Sequence, residues 1–211
     1  TPYGLREGAV RDQGDGTNYS RIRQVALPYF TFIPNSPGGA GGNNIYSARA
    51  TVPIDDDYDA EWYINYDLDK PLTTEYLAFQ RQGRADNPDD FAEGIGDVSN
   101  MWHQDREAMK GGHFSGLMRS IAFEDFIVQS SMGKTVDRSL EQLGGADNFV
   151  VRVRRQLLEG LKSYQETGVV PWRDGFDYKA VRAVAVIHPQ AQDWRDCAPA
   201  TTLLEQQMAA E

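Results

Sequence analysis

From Tyr58 to Asp67 the chain changes character at every second residue. Tyr58, Ala60, Trp62, Ile64 and Tyr66 alternate with Asp59, Glu61, Tyr63, Asn65 and Asp67. A period of two fits a β-strand and not an α-helix, where the same residues would scatter around the axis. Such a strand carries an aromatic row on one face and a mostly polar row on the other, as in an antiparallel sheet covered on one side. Upstream, Tyr3 to Val10, Arg21 to Phe32 and Asn44 to Pro53 read as further strands. Pro28 lies inside the second and has no N–H to give a neighbour, so a bulge or an edge is expected there. Downstream the period lengthens. A short helix is expected over Trp102 to Lys110, and another over Ala122 to Ser131, with Ser120 near its start and Gly133 at its end. A long one is expected over Asp147 to Tyr164, with Asp147 as N-cap and Val150, Val153, Leu157, Leu161 and Tyr164 as its apolar stripe. Ala180 to Ile187 returns to strand character, and Ala198 to Glu211 reads as a short helix or a frayed end.

Strands first and helices later imply an α+β fold, a curved antiparallel sheet packed against a long helix. No internal repeat and no second composition regime is visible, so the expectation is one domain over residues 1–211. Two stretches interrupt the pattern. Ser36 to Asn44 is Gly-rich, but it leads into a strand and lacks the Lys-Ser/Thr ending of a phosphate cradle. It reads as a flexible inter-strand loop. Leu72 to Asn100 is polar and irregular, the character of a binding or disordered loop.

The formal net charge of −10 argues against non-specific nucleic-acid binding and against docking on an anionic membrane. The single cysteine, Cys197, excludes an internal disulfide framework and any Cys-rich zinc or iron–sulfur site built from this chain. No apolar run approaches the roughly 18 residues of a membrane span. Thr1-Pro2-Tyr3-Gly4 lacks an initiator Met and runs straight into strand-like sequence, so an internal start is expected.

Asp125 is the most informative side chain. On a helix over Ala122 to Ser131 its same-face neighbours are Ile121, Val128, Gln129 and Met132. A lone ionised carboxylate in such a stripe is costly to bury. It must pair with a cation, bind a metal, take up a proton, or turn outward as the helix rolls. Glu124, on another face, reads as an ordinary surface residue. The three histidines, His103, His113 and His188, carry no HxxxH or HExxH spacing, and each reads as a loop, surface or strand-end residue. A loop can still bring His103 and His113 together. Asp105-Arg106-Glu107 reads as a solvated helix start with local ion pairs. Nothing near Cys197 suggests an activated thiolate.

An ordered series of segments goes further. It comprises Val52-Pro53-Ile54-Asp55-Asp56, Asn100-Met101-Trp102-His103-Gln104-Asp105-Arg106-Glu107-Ala108-Met109, and Phe114-Ser115-Gly116-Leu117. It continues with Phe123-Glu124-Asp125, Val128-Gln129-Ser130-Ser131-Met132-Gly133, Val136-Asp137-Arg138-Ser139, Glu141-Gln142-Leu143-Gly144, and Val151-Arg152-Val153-Arg154-Arg155-Gln156-Leu157-Leu158. Taken in order, these resemble the catalytic domain of Rieske non-haem iron aromatic-ring oxygenases, in particular the phthalate dioxygenase and aryl O-demethylase group. The match is densest between Val52 and Gly160.

The resemblance implies a helix-grip fold of the START and Bet v1-like kind, with a cavity for an aromatic compound. It implies one mononuclear Fe(II) held by two histidines and a carboxylate. The carboxylate-bearing helix of that family matches the surroundings of Asp125, which is thereby implied as the metal ligand. The span from Asn100 to Met109 is implied at the active-site entrance, with His103, Gln104 and Arg106 as substrate contacts. An anionic aromatic would favour Arg106. Further implications are O2 as co-substrate, electrons from a Rieske [2Fe-2S] cluster fed by an NAD(P)H-dependent reductase, a cytoplasmic location, and a homotrimer or a multiple of it. Two departures qualify the likeness. The CxH…CxxH pattern of the Rieske domain is not in this chain, and neither is the D-x-x-H-x4-H segment that carries the iron histidines. The expectation is an N-terminally truncated catalytic domain, inactive alone. Two alternatives stay open: a stand-alone helix-grip domain binding an apolar small molecule without iron, and an isolated metal enzyme using Asp125 with His103 and His113.

Overall fold

The computed structural model describes residues 1–34, 42–81, 96–117, 121–172 and 177–197. Most of the Gly-rich loop, Ser120, much of the irregular stretch and the tail from Ala198 lie outside the described residues. The chain divides into two compact units, Thr1–Pro71 with Gln142–Glu211, and Leu72–Glu141.

The first unit is a curved six-stranded antiparallel sheet with a long helix, the α+β helix-grip architecture expected. Strands β1 (Gly4–Asp12), β2 (Thr17–Ala26), β3 (Phe30–Ile33), β4 (Tyr46–Pro53) and β5 (Asp59–Tyr66) follow one another across the sheet. The sixth, β6 (Val184–Pro189), pairs with the first half of β2 beside β3. The β1–β2 hairpin closes through Gly14 and Gly16, both at positive φ, where a side chain would be strained. Asp12 and Asp15 accept the N–H groups of Gly14 and Thr17 at 2.8 and 3.0 Å. The stretch expected as one strand from Arg21 to Phe32 is two. β2 stops at Ala26 and β3 begins at Phe30, because Pro28 cannot donate to the ladder.

Directly opposed residues share a face of the sheet. One such row runs Arg6, Gln24, Phe32, Ala48, Ile64, and the next runs Gly4, Ala26, Phe30, Ala50, Trp62. Gln24, Phe32, Ala48, Ala26 and Ala50 are buried. The core gathers Tyr3, Ala26, Phe32, Ala48 and Val181, with Phe30 and Ala183 against it. The aromatic row of β5 thus lies on the core side, but Trp62 is 61% exposed and Ile64 44%. Val181 and Ala183 cover the middle of this face, and Trp194 covers β1, where a Cβ on Gly8 would fall 2.4 Å from its ring. Among the described residues, that cover does not reach β5, which is the last strand of the path.

The long helix is Asn148–Thr167 and lies against β1. Its half-buried line is Phe149, Val153 and Leu157, ending at buried Gly160, whose Cα faces the Trp172 ring. The expected stripe is shared only in part, since Val150, Leu161 and Tyr164 are exposed. Asp147 sits at the N-cap position, but its carboxylate accepts Gly144 N–H at 2.8 Å and caps no helical N–H.

Among the described residues, the second unit carries the helices α1 (Thr74–Arg81), α2 (Arg106–Lys110) and α3 (Ile121–Ser130). The helix Asn148–Thr167 is α4 in this order. Helix α1 falls inside the stretch expected to be irregular. Two turns are too short for a convincing helical period; at its start Thr73 Oγ1 accepts Tyr76 N–H at 3.2 Å and Glu75 lies in the first turn. Trp102 to Lys110 is not one helix. A 3-10 turn over Val98–His103 precedes α2, and the chain passes through Met101, Trp102 and His103 at φ of 51, 52 and 56°.

Candidate functional site

Three consecutive non-glycine residues in the left-handed region are costly, on the order of 1–3 kcal/mol each, and need support from their surroundings. Asp97 supplies much of it. Its Oδ1 accepts Ser99 N–H at 2.7 Å and Ser99 Oγ–H at 2.6 Å, and its carbonyl accepts Trp102 N–H at 2.9 Å. Asn100 Oδ1 accepts Asp97 N–H at 2.9 Å, closing a reciprocal cap. The Ser99 donors hold the Asp97 carboxyl below the usual carboxylate range, and the His103 imidazole acts in the same direction. His103 packs on Gly96, where a Cβ would come within 2.9 Å of the ring.

Gln104 follows this turn. Its Nε2 donates to the Ser115 carbonyl at 2.8 Å. Asp105 caps α2, accepting Ala108 N–H at 2.9 Å, and Glu107 pairs with Lys110. The Asp105-Arg106-Glu107 run is therefore a solvated helix start with a local ion pair, as the sequence suggests. Arg106 is exposed. His113 Nδ1 accepts Gly116 N–H at 2.9 Å, which places its neutral-state proton on Nε2.

Helix α3 differs from its expected packing. Phe123 and Ile127 are its buried residues. Ile121, Val128 and Met132, the expected apolar partners of Asp125, are 73, 60 and 51% exposed. The helix has rolled toward the Phe123 side, and Asp125 is half-buried. Glu124 is not an ordinary surface residue. It is half-buried and accepts a hydrogen bond from Ser115 Oγ. No helical period signals a contact nine residues apart across a loop, so sequence reasoning missed it.

His188 lies at a strand end, as expected, but it is not a surface residue. It is 4% exposed, shares a 2.8 Å hydrogen bond with fully buried Ser20, and its Nδ1 lies 3.0 Å from the Pro189 carbonyl. Alternation along β6 puts Val184, Val186 and His188 on one face, and that was the available signal. Burial, with Asp196 and Asp193 nearby, pushes the Cys197 thiol up, away from a reactive thiolate.

A 2-His-1-carboxylate site needs three protein donors. Among the described residues no group of three or more His, Cys, Asp or Glu could hold a metal ion. Asp125 has the chemistry of the carboxylate position, an anionic oxygen donor on a helix. The two imidazoles are not brought to it by the described part of this chain, which weighs against an isolated metal enzyme built from Asp125, His103 and His113.

A family model described as LigXa C-terminal domain-like matches residues 1–211. The chain belongs to that family. It is 31% identical over 204 residues to the phthalate 4,5-dioxygenase oxygenase subunit of Pseudomonas putida, covering 93% of this chain and 44% of that protein. It is 30% identical over 194 residues to the 3-chlorobenzoate-3,4-dioxygenase oxygenase subunit of Comamonas testosteroni, covering 83% of this chain and 43% of that protein. The chain thus spans less than half the length of either relative. The resemblance to the Rieske oxygenase catalytic domain holds, and nothing in these likenesses favours an iron-free ligand-binding domain. Among the described residues no helix is long and apolar enough to cross a membrane.

Proposed function

We propose that these 211 residues are the substrate-binding, mononuclear-iron part of an aromatic-ring oxygenase subunit, and that Asp125 is the carboxylate ligand of its Fe(II). The observation that carries the reading is the family match along the whole chain, on a fold whose α3 presents Asp125 beside a bonded Glu124. The remaining iron ligands are proposed as histidines outside these 211 residues, because the three in the sequence, His103, His113 and His188, do not gather with Asp125 into a metal-holding group. Iron, when bound, supplies the activation of O2. This chain supplies one carboxylate ligand and, within the same unit, an entrance segment from Asn100 to Met109.

Both relatives are named for aromatic carboxylates, phthalate and 3-chlorobenzoate. The substrate class we propose is accordingly an aromatic acid, hydroxylated or O-demethylated. Arg106 is the proposed partner of its carboxylate, being permanently charged and exposed. His103 and Gln104 are proposed as flanking contacts. Electrons come from a Rieske [2Fe-2S] cluster served by an NAD(P)H-dependent reductase, in a cytoplasmic homotrimer or a multiple of it.

Iron analysis of the full-length natural protein tests this. Wild type should retain iron at the mononuclear site, Asp125→Ala should lose it, and Asp125→Glu should keep part of it. Undiminished mononuclear iron in Asp125→Ala would overturn the ligand assignment. Arg106→Ala should raise KM for an aromatic acid more than for the corresponding amide, and equal effects would remove Arg106 from the substrate site.

A further inference from the structure

The loop from His113 to Leu117 is tied on both sides. Toward the left-handed turn, the Ser115 carbonyl accepts Gln104 Nε2–H at 2.8 Å and the Gly116 carbonyl accepts Asp105 N–H at 2.9 Å. The approach at Gly116 is close: its φ is +73°, and a Cβ there would lie 2.5 Å from the Asp105 carbonyl oxygen. Toward α3, Ser115 Oγ donates to Glu124 Oε1 and accepts Leu117 N–H at 3.2 Å. One serine therefore connects the entrance segment, through its carbonyl, to the first turn of α3, through its hydroxyl. Glu124 immediately precedes Asp125. Successive helical side chains diverge by about 100°, so Glu124 cannot occupy the direction of Asp125, but holding Glu124 fixes the roll of the turn that carries it.

We infer that Ser115 and Glu124 are a positioning pair, which sets the direction of the Asp125 carboxylate and its register with Gln104. The inference rests on the reading of Asp125 as an iron ligand. The bond joins a hydroxyl to a half-buried carboxylate, so it is charge-assisted and directional. It is suited to hold α3 against a further roll that would carry half-buried Asp125 out to where Ile121 and Val128 already lie. A ligand must stay within about 0.5 Å and 10–20° of its productive geometry, and groups that orient ligands typically contribute about 10–100-fold to metal affinity.

The test measures Fe(II) affinity by chelator competition, the absorption spectrum of the Co(II)-substituted protein, and thermal stability, all on the full-length natural protein. Ser115→Ala and Glu124→Ala should each weaken Fe(II) binding by about 10–100-fold and alter the Co(II) bands, which report ligand geometry. Together they should cost no more than Ser115→Ala alone, since both break the Ser115–Glu124 bond and Ser115→Ala also removes the acceptor of Leu117 N–H. Ser115→Thr and Glu124→Gln keep a donor and an acceptor in place and should restore affinity to within a few-fold of wild type. If both alanine variants lower thermal stability while leaving Fe(II) affinity and the Co(II) spectrum unchanged, the pair is merely structural and the inference fails. If one alanine variant does not fold, the other together with its conservative counterpart decides the question. Failure of the underlying reading looks different: Asp125→Ala itself would then keep its mononuclear iron.

Discussion

The sheet unit and the helical unit hold themselves together in different ways. In the sheet unit, Tyr3, Ile22, Ala26 and Val181 are essentially inaccessible to water, and they come from strands and segments far apart in the chain. The buried carboxamides described there are bonded: Gln24 on both sides, by the Tyr3 hydroxyl and the Arg182 carbonyl, and Asn43 by donating to Asp67 and to the Pro71 carbonyl. Among the described residues of the helical unit, only Tyr76, Phe123 and Ile127 are buried large hydrophobics. Its order comes from short-range polar bonds: the Asp97 cap, the Asp105 cap and the Ser115 bonds on either side of one loop. Apolar burial resists deformation over a whole element, whereas a cap acts on one turn. The unit carrying Asp125 and the span from Asn100 to Met109, proposed above as the entrance, is thus the one whose geometry depends on individual hydrogen bonds, and regions of low local stability are where sites that must open to ligands are built.

This contrast can be broken by experiment. The largest expected effect is Ile22→Ala, which removes a fully buried side chain on β2 and should cost about 2–5 kcal/mol in denaturant unfolding. A loss under about 1 kcal/mol would mean that the sheet is not the stability core. Next comes Gly8→Ala. Its new methyl would meet the Trp194 ring at 2.4 Å, and the overpacking should cost about 1–3 kcal/mol. Trp194→Ala in the same background should recover part of that loss. Third is Asp105→Ala, which removes the α2 cap and should cost about 1 kcal/mol locally. Hydrogen exchange should speed in α2 and the loop after it, with the amides of β2 unchanged. Acceleration in both units would show that they open together.

The smallest effect concerns acid. Asn43 Nδ2–H and the backbone N–H groups of Asp69, Asn44 and Lys70 bind Asp67, and together they hold its carboxyl down at about 2, against an ordinary 3.8. A carboxylate depressed on folding contributes stability that is complete above its unfolded pKa and is lost as pH falls through the folded one. The relevant window therefore runs from 3.8 down to about 2. Asp67→Asn should flatten the acid limb of stability in that window, seen as urea midpoints that converge with wild type as the pH approaches about 2. An unchanged acid limb would remove Asp67 from the clasp on the segment 43–44.

Period and punctuation in the chain determine the strands, the long amphipathic helix and hence the α+β class, because both are local properties of side-chain spacing. The alternation at Tyr58–Asp67 places an aromatic row on the core side of β5, and Pro28 marks the break between β2 and β3. The ordered segments from Val52 to Leu158 lead to the family, and with it to the proposal that Asp125 binds iron, without reference to any contact. What they leave open is what covers what. Whether Trp62 is buried depends on how far the segments around Val181 and Trp194 reach over the sheet, which is a non-local matter. The roll of α3 depends on where Phe123 and Ile127 find partners, and so Ile121 and Val128 turn outward although the helical wheel alone would bury them with Asp125. The Ser115–Glu124 bond and the Ser20–His188 pair are likewise tertiary, since each joins residues that no sequence period connects. The proposal of Asp125 as a ligand comes from the chain alone; the Ser115–Glu124 hydrogen bond exists only once the loop and the helix have met.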